Sequence, residues 1–68
     1  MNKFAERLKE LREERNLSQN QLAKLTGLSQ SIIVLWEKKL RVPTIESIIV
    51  LVKFFKVTSD YLIGITDF

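Results

Sequence analysis

SQNQLAKLTGLSQSIIVLWE, residues 18–37, reads as two short helices separated by a turn at Gly27. Ser18 followed by Gln21 makes a capping box, in which the hydroxyl oxygen accepts a backbone N–H and the Gln side chain reaches back to the cap. Leu22, Ala23 and Leu25 supply a short apolar face. Gly27 takes a positive φ cheaply because it has no Cβ, so it suits the end of that helix. Ser29 suits the N-cap of the next one. Ile33 and Trp36, three apart, share the face through which the second helix docks.

Outward from this unit the periodicity stays helical. Phe4, Ala5, Leu8 and Leu11 recur at helical spacing with charges between them, in a helix ending near Arg15–Asn16. The helix that carries Trp36 fades near Lys38–Lys39. Leu40-Arg41-Val42-Pro43 is a connector, because Pro43 drives Val42 towards extended geometry. Thr44 caps a fourth helix running to about Phe55 or Lys56, with Ile45, Ile48, Ile49, Val52 and Phe55 as its inward stripe. Val50 and Phe54 then fall on its other side, and a helix apolar nearly all round expects burial on more than one face. Thr58 caps a last helix, Ser59 to Ile63, closed by Gly64, and the tail Ile65–Phe68 is irregular. Ser-Ile-Ile-Val-Leu occurs at residues 31–35 and again at 47–51. Such β-branched runs favour strands, but a cap precedes each run and the surrounding period is near 3.6, which favours helices.

The bulk numbers narrow the function classes. Sixty-eight residues form one domain, residues 1–68, with a small core. The chain has no cysteine and no histidine, which excludes disulfides, thiolate metal sites, the usual zinc ligands and Ser–His or Cys–His nucleophiles. A net charge of +3 favours a polyanionic partner if it is gathered on one face. No segment approaches the roughly 20 apolar residues of a membrane span, and the charged N-terminus is no signal sequence. The expectation is a soluble, cytoplasmic protein. Glu37, Glu46 and Asp60 have no nucleophile or metal ligand clustered with them, and no Gly-rich phosphate loop is present. Neither an enzyme nor a cofactor, metal or small-molecule substrate is expected.

At this point the chain resembles the phage-repressor and Cro-like, or XRE-type, helix-turn-helix family. The resemblance rests on Leu17-Ser18-Gln19, Gln21-Leu22-Ala23, Gly27-Leu28-Ser29, Ile33, Trp36-Glu37, Arg41 with Pro43, and Val57 with Asp60-Tyr61-Leu62. It implies an all-α, compact five-helix domain with a central helix-turn-helix, binding double-stranded DNA sequence-specifically as a homodimer on a two-fold operator. It further implies control of transcription, read here as repression, with the third helix in the major groove. Carried onto this sequence, Gln30, Ser31, Val34 and Leu35 face bases, and Gln30 suits adenine. Gln19, Asn20, Ser29, Lys38, Lys39 and Arg41 approach phosphates. Arg12 and Glu37 match a salt bridge that the family uses to orient helices one and three.

The chain departs from the family pattern in three places. Lys39 stands where Gly is usual, and a positive φ there costs a residue with a Cβ roughly 1 kcal/mol or more, so a different turn is expected. Leu40 replaces a commonly polar or basic residue. Val34 and Leu35 make the outer side of the third helix apolar, so readout there rests on thymine methyls and shape. The apolar excess of the fourth helix points to a partner's surface, with Val50, Phe54, Ile63, Ile65 and Phe68 as interface candidates. The alternative function is a protein–protein interaction or self-assembly module on the same fold, using those outer faces.

Overall fold

A computed structural model describes residues 3–67, and within them every regular element is helical. In chain order these are α1 (Phe4–Glu14), α2 (Gln19–Thr26), α3 (Gln30–Glu37), α4 (Ile45–Phe55) and α5 (Ser59–Ile63). Both Ser-Ile-Ile-Val-Leu runs lie inside helices, at 31–35 in α3 and at 47–51 in α4. No helix among the described residues is long and apolar enough to cross a membrane.

A Ser or Thr hydroxyl one residue before α2, α3, α4 and α5 sets where each begins. The Ser18, Ser29, Thr44 and Thr58 oxygens accept the backbone N–H groups of Gln21, Ile32, Ser47 and Tyr61 at 3.0–3.1 Å. Ser18 completes the box, its own N–H donating to Gln21 Oε1 at 2.7 Å. Caps of this kind contribute about 1 kcal/mol each, which matters for helices as short as five and eight residues.

The core takes at least one side chain from every helix: Leu8, Leu22, Ile33, Trp36, Leu51 and Leu62 are fully buried. Phe4 meets the Trp36 ring edge-on, with centroids 5.6 Å apart. In α4 the buried stripe differs from the expected one. Leu51 and Phe55 are the buried residues, with Ile48 half-buried and Val52 packed against the cluster, whereas Ile45 and Ile49 are 75% and 45% exposed. The expected stripe was rotated towards Ile45 and Ile49, whereas the exposed Glu46 and Lys53, seven apart on the opposite side, mark the observed phase. Phe54, expected outward, sits at the margin of the core, edge-on to Phe55 at 5.0 Å.

Three helices end on a non-glycine residue with left-handed backbone: Asn16 (φ 57°), Lys39 (φ 64°) and Lys56 (φ 58°). The turn at Lys39 is therefore the glycine-type turn after all, and the expectation of a different one is corrected. Its strain is offset by two backbone hydrogen bonds, Lys39 N–H to Trp36 O at 3.1 Å and Leu40 N–H to Leu35 O at 2.9 Å. These close a Schellman motif. Gly64 has a stricter requirement. Its φ is 92°, and a Cβ there would lie 2.7 Å from the Lys3 nitrogen.

Two arginines unannounced by any motif close the fold. Arg7, only 7% exposed, donates to Tyr61 O at 2.6 Å, Thr66 O at 2.5 Å and Asp67 Oδ1 at 3.2 Å. Its guanidinium also lies 4.2 Å from the Tyr61 ring centroid. Residues 65–67 of the tail are irregular as expected, yet clamped, and Phe68 lies outside the described residues. Arg15 caps the far end of α4, donating to Phe54 O at 3.1 Å and Phe55 O at 3.2 Å.

Lys56→Gly relieves a left-handed cost of about 1–2 kcal/mol and adds about 0.5–1 kcal/mol of unfolded-state entropy. The variant should melt a few degrees higher than the parent in calorimetry. A lower melting temperature would show that the Lys56 side chain stabilises the fold more than its backbone strains it.

Candidate nucleic-acid interface

The capping box at Ser18 fixes the chain's entry into α2, and Gly27 (φ 77°) ends that helix with its N–H on Ala23 O at 2.9 Å. Leu28 and Ser29 then turn the chain into α3. Leu22 and Ala23 from α2 join Ile33 and Trp36 from α3 in one apolar cluster. With Ile33 and Trp36 inward, Gln30 and Ser31 stand exposed in the first turn of α3, and Val34 and Leu35 are half-buried beside them. No described residue bonds the Gln30 amide, while Ser31 Oγ lies 3.4 Å from Ser29 Oγ.

Behind α3 lies an ion pair that ties it to α1. Arg12 Nε donates to Glu37 Oε2 at 2.8 Å, and its second terminal nitrogen donates to Oε1 at 2.9 Å. The remaining nitrogen donates to Leu17 O at 2.8 Å. The two side chains are 10% and 5% exposed. The hydrogen bonds that Arg12 donates to Glu37 hold its guanidinium above its ordinary pKa despite burial, so Arg12 stays charged. Gln19 joins this network, its Nε2 donating to Glu37 Oε1 at 3.0 Å. A carboxylate only accepts, so the Gln19 carbonyl is turned away from it. One residue thus braces the start of α2 against the end of α3, a role its sequence position did not announce.

The other phosphate-facing candidates are distributed as follows. Asn20, Ser29, Lys38, Lys39 and Arg41 are all exposed. Lys39 Nζ is 2.9 Å from Glu6 Oε2, a hydrogen bond that holds the Glu6 carboxyl below its usual range. Lys38 and Arg41 have no ion-pair partner among the described residues. The fold leaves the connector's apolar side chains open too, with Leu40 65% and Val42 68% exposed. Among the interface candidates Val50, Phe54 and Ile63 are half-buried and Ile65 is exposed, while Phe68 lies outside the described residues. No group of three or more His, Cys, Asp or Glu that could hold a metal occurs among the described residues.

A short helix pair with one helix buried on its inner side and open on its outer side defines a class, and the comparisons agree. The helix-turn-helix family model matches residues 8–62. The chain belongs to that family of DNA-binding transcriptional regulators. It is 30% identical over 64 residues to the HTH-type transcriptional regulator YobD of Bacillus subtilis (strain 168), covering 94% of this chain and 57% of that protein. It is 41% identical over 61 residues to the HTH-type transcriptional activator BcrR of Enterococcus faecalis, covering 90% of this chain and 30% of that one. The chain thus spans about half or less of the length of these relatives. Among solved structures it is similar to the restriction-modification controller protein C.AhdI from Aeromonas hydrophila. That likeness has a TM-score of 0.79 and 35% identity, and it covers 88% of this chain and 91% of that one.

Glu37→Ala leaves a buried guanidinium without its carboxylate, which costs about 3 kcal/mol. A domain of this size has a total stability of roughly 3–10 kcal/mol, so the loss is large. Urea unfolding should show a sharply lowered midpoint; a midpoint within experimental error of the parent would mean that solvent satisfies Arg12.

Proposed function

We propose that this chain binds a two-fold DNA operator as a homodimer and represses transcription by occupying it. One observation carries the reading: Gln30 and Ser31 stand open on the first turn of α3 while Ile33 and Trp36 anchor the same helix in the core. A recognition helix reads base edges from its N-terminal residues. Gln30, with an unengaged amide, offers the donor–acceptor pair that matches adenine N7 and N6. Ser31 bonds several bases, and Val34 and Leu35 offer apolar contact to thymine methyls.

Backbone positioning falls to both ends of the motif. At the start of α2 the backbone N–H groups of Gln19 and Asn20 face a phosphate, and the Gln19 amide keeps one N–H beyond the one that Glu37 takes. Ser29 does the same at α3. After α3, Lys38 and Arg41 supply free charge, and Lys39 adds to it once released from Glu6. A protomer measures 27 × 24 × 20 Å. Two copies side by side therefore fit recognition helices about 34 Å apart, one turn of the duplex. Repression by occupancy needs no surface beyond these.

Binding to a random duplex library at several salt concentrations tests the reading. Gln30→Ala should relax preference at one or two base pairs, a cost of about 1–3 kcal/mol at those positions; an unaltered selected sequence would remove Gln30 from readout. Lys38→Ala should weaken binding to all duplexes alike and lower the salt slope by about one. A slope equal to the parent's would place Lys38 away from the backbone.

A further inference from the structure

Resting on the homodimer reading, the geometry of α4 points to where two copies meet. Ile48, Leu51, Val52 and Phe55 form the stripe turned to the core. The opposite stripe, at the same spacing, is Glu46, Ile49, Val50 and Lys53. In it Glu46 and Lys53 are exposed, Ile49 is 45% exposed and Val50 is half-buried. Neither charge has an ion-pair partner among the described residues. Seven positions apart on a helix they stand about 10 Å from each other, too far to pair within one chain. The stripe is an acid, two apolar residues and a base, in that order.

That order is complementary to itself when reversed. A two-fold axis brings the same patch of both protomers together, each residue i meeting a residue j and each j meeting i. Two α4 helices crossing antiparallel about an axis between Ile49 and Val50 set Glu46 of each against Lys53 of the other. Ile49 and Val50 then cover one another at the centre. Ile45, 75% exposed, comes opposite Phe54 at the margin of the core. A parallel pairing would set Glu46 on Glu46 and Lys53 on Lys53, so the charges select the antiparallel one.

We propose that this chain dimerises through its α4 helices, packed antiparallel with Ile49 and Val50 at the two-fold axis and reciprocal Glu46–Lys53 ion pairs on either side. The occupant of this face is a second copy of the chain, because the charge order matches its own reverse. A single helix pair is at or below the small end of stable interfaces, of about 1,200 Å² in total, so the free dimer is weak, with a Kd on the order of micromolar. Operator binding by both copies then strengthens it.

Sedimentation velocity over a concentration series, with helical content checked by circular dichroism, tests the face through Glu46→Lys, Lys53→Glu and the double exchange. Each single exchange should weaken the dimer about tenfold or more, and the double exchange should restore it. Net-charge repulsion alone predicts something else: Glu46→Lys would weaken association and Lys53→Glu would strengthen it. Single exchanges moving in opposite directions, or leaving the dimer unchanged, would overturn the α4 face while the homodimer stands. A parent chain that stays monomeric with and without DNA, its α4 face left to another protein or another segment, overturns both. Ile49→Asp, at an already accessible position, should keep the fold and abolish the dimer; a dimer that survives it also overturns the face.

Discussion

An eight-residue helix has little stability of its own in water, and α3 has to hold its shape with one side unpacked. The rest of the molecule answers that constraint. Ile33 and Trp36 anchor α3 in the core, and Phe4 meets the indole edge-on. Ser29 caps one end and the backbone bonds of Lys39 and Leu40 close the other. Glu37, at the last turn, is gripped by Arg12 from α1 and by Gln19 from α2. Buried ion pairs contribute little net stability against apolar replacements, so the geometry this one imposes is its main product. It fixes the roll of α3 about its own axis, and with it which side chains face outward.

The helices were legible wherever a short-range rule governed them. Ser18 with Gln21, Ser29, Thr44 and Thr58 announce four helix starts because a cap and its partner lie three residues apart. Gly27 and Gly64 announce two ends for the reason that only glycine takes positive φ freely. Asn16, Lys39 and Lys56 adopt the same backbone without announcing it, since the backbone hydrogen bonds that close each helix offset a cost of about 1–2 kcal/mol. The phase of α4 was marked only by its charges: Ile49 and Leu51 are equally apolar, but Glu46 and Lys53 share the outer side with Ile49, which leaves Leu51 for the core cluster. At the site, the exposed placement of Ser31 and Lys38 followed from the inward register of Ile33 and Trp36, that of Gln30 only from the family resemblance, and Leu35, outward by register, is half-buried. The engagement of Gln19 by Glu37 joins residues far apart in sequence, and no spacing rule reaches that far.

The charge count also changes meaning once the structure is known. Eleven Lys and Arg against eight Asp and Glu suggest a modest basic surface. Three of the arginines are turned to architecture: Arg7 on the tail, Arg12 on Glu37, and Arg15 over the Phe54 and Phe55 rings and their carbonyls. Lys39 is tied to Glu6. Lys38 and Arg41, which follow α3, have no ion-pair partner among the described residues. Fewer cations are therefore free to meet an anion than the total suggests.

Arg7 carries a topological consequence. Through it the start of α1 holds Thr66 and Asp67, while Lys3 N–H donates to Ile63 O at 3.2 Å. Residues 63–67 thus return to the start of α1, and the helices are arranged nearly as a closed ring. In such a ring the order of synthesis is separable from the order of packing. Joining residue 67 to residue 3 by a short peptide and opening the circle at an exposed connector would leave the same neighbours in contact.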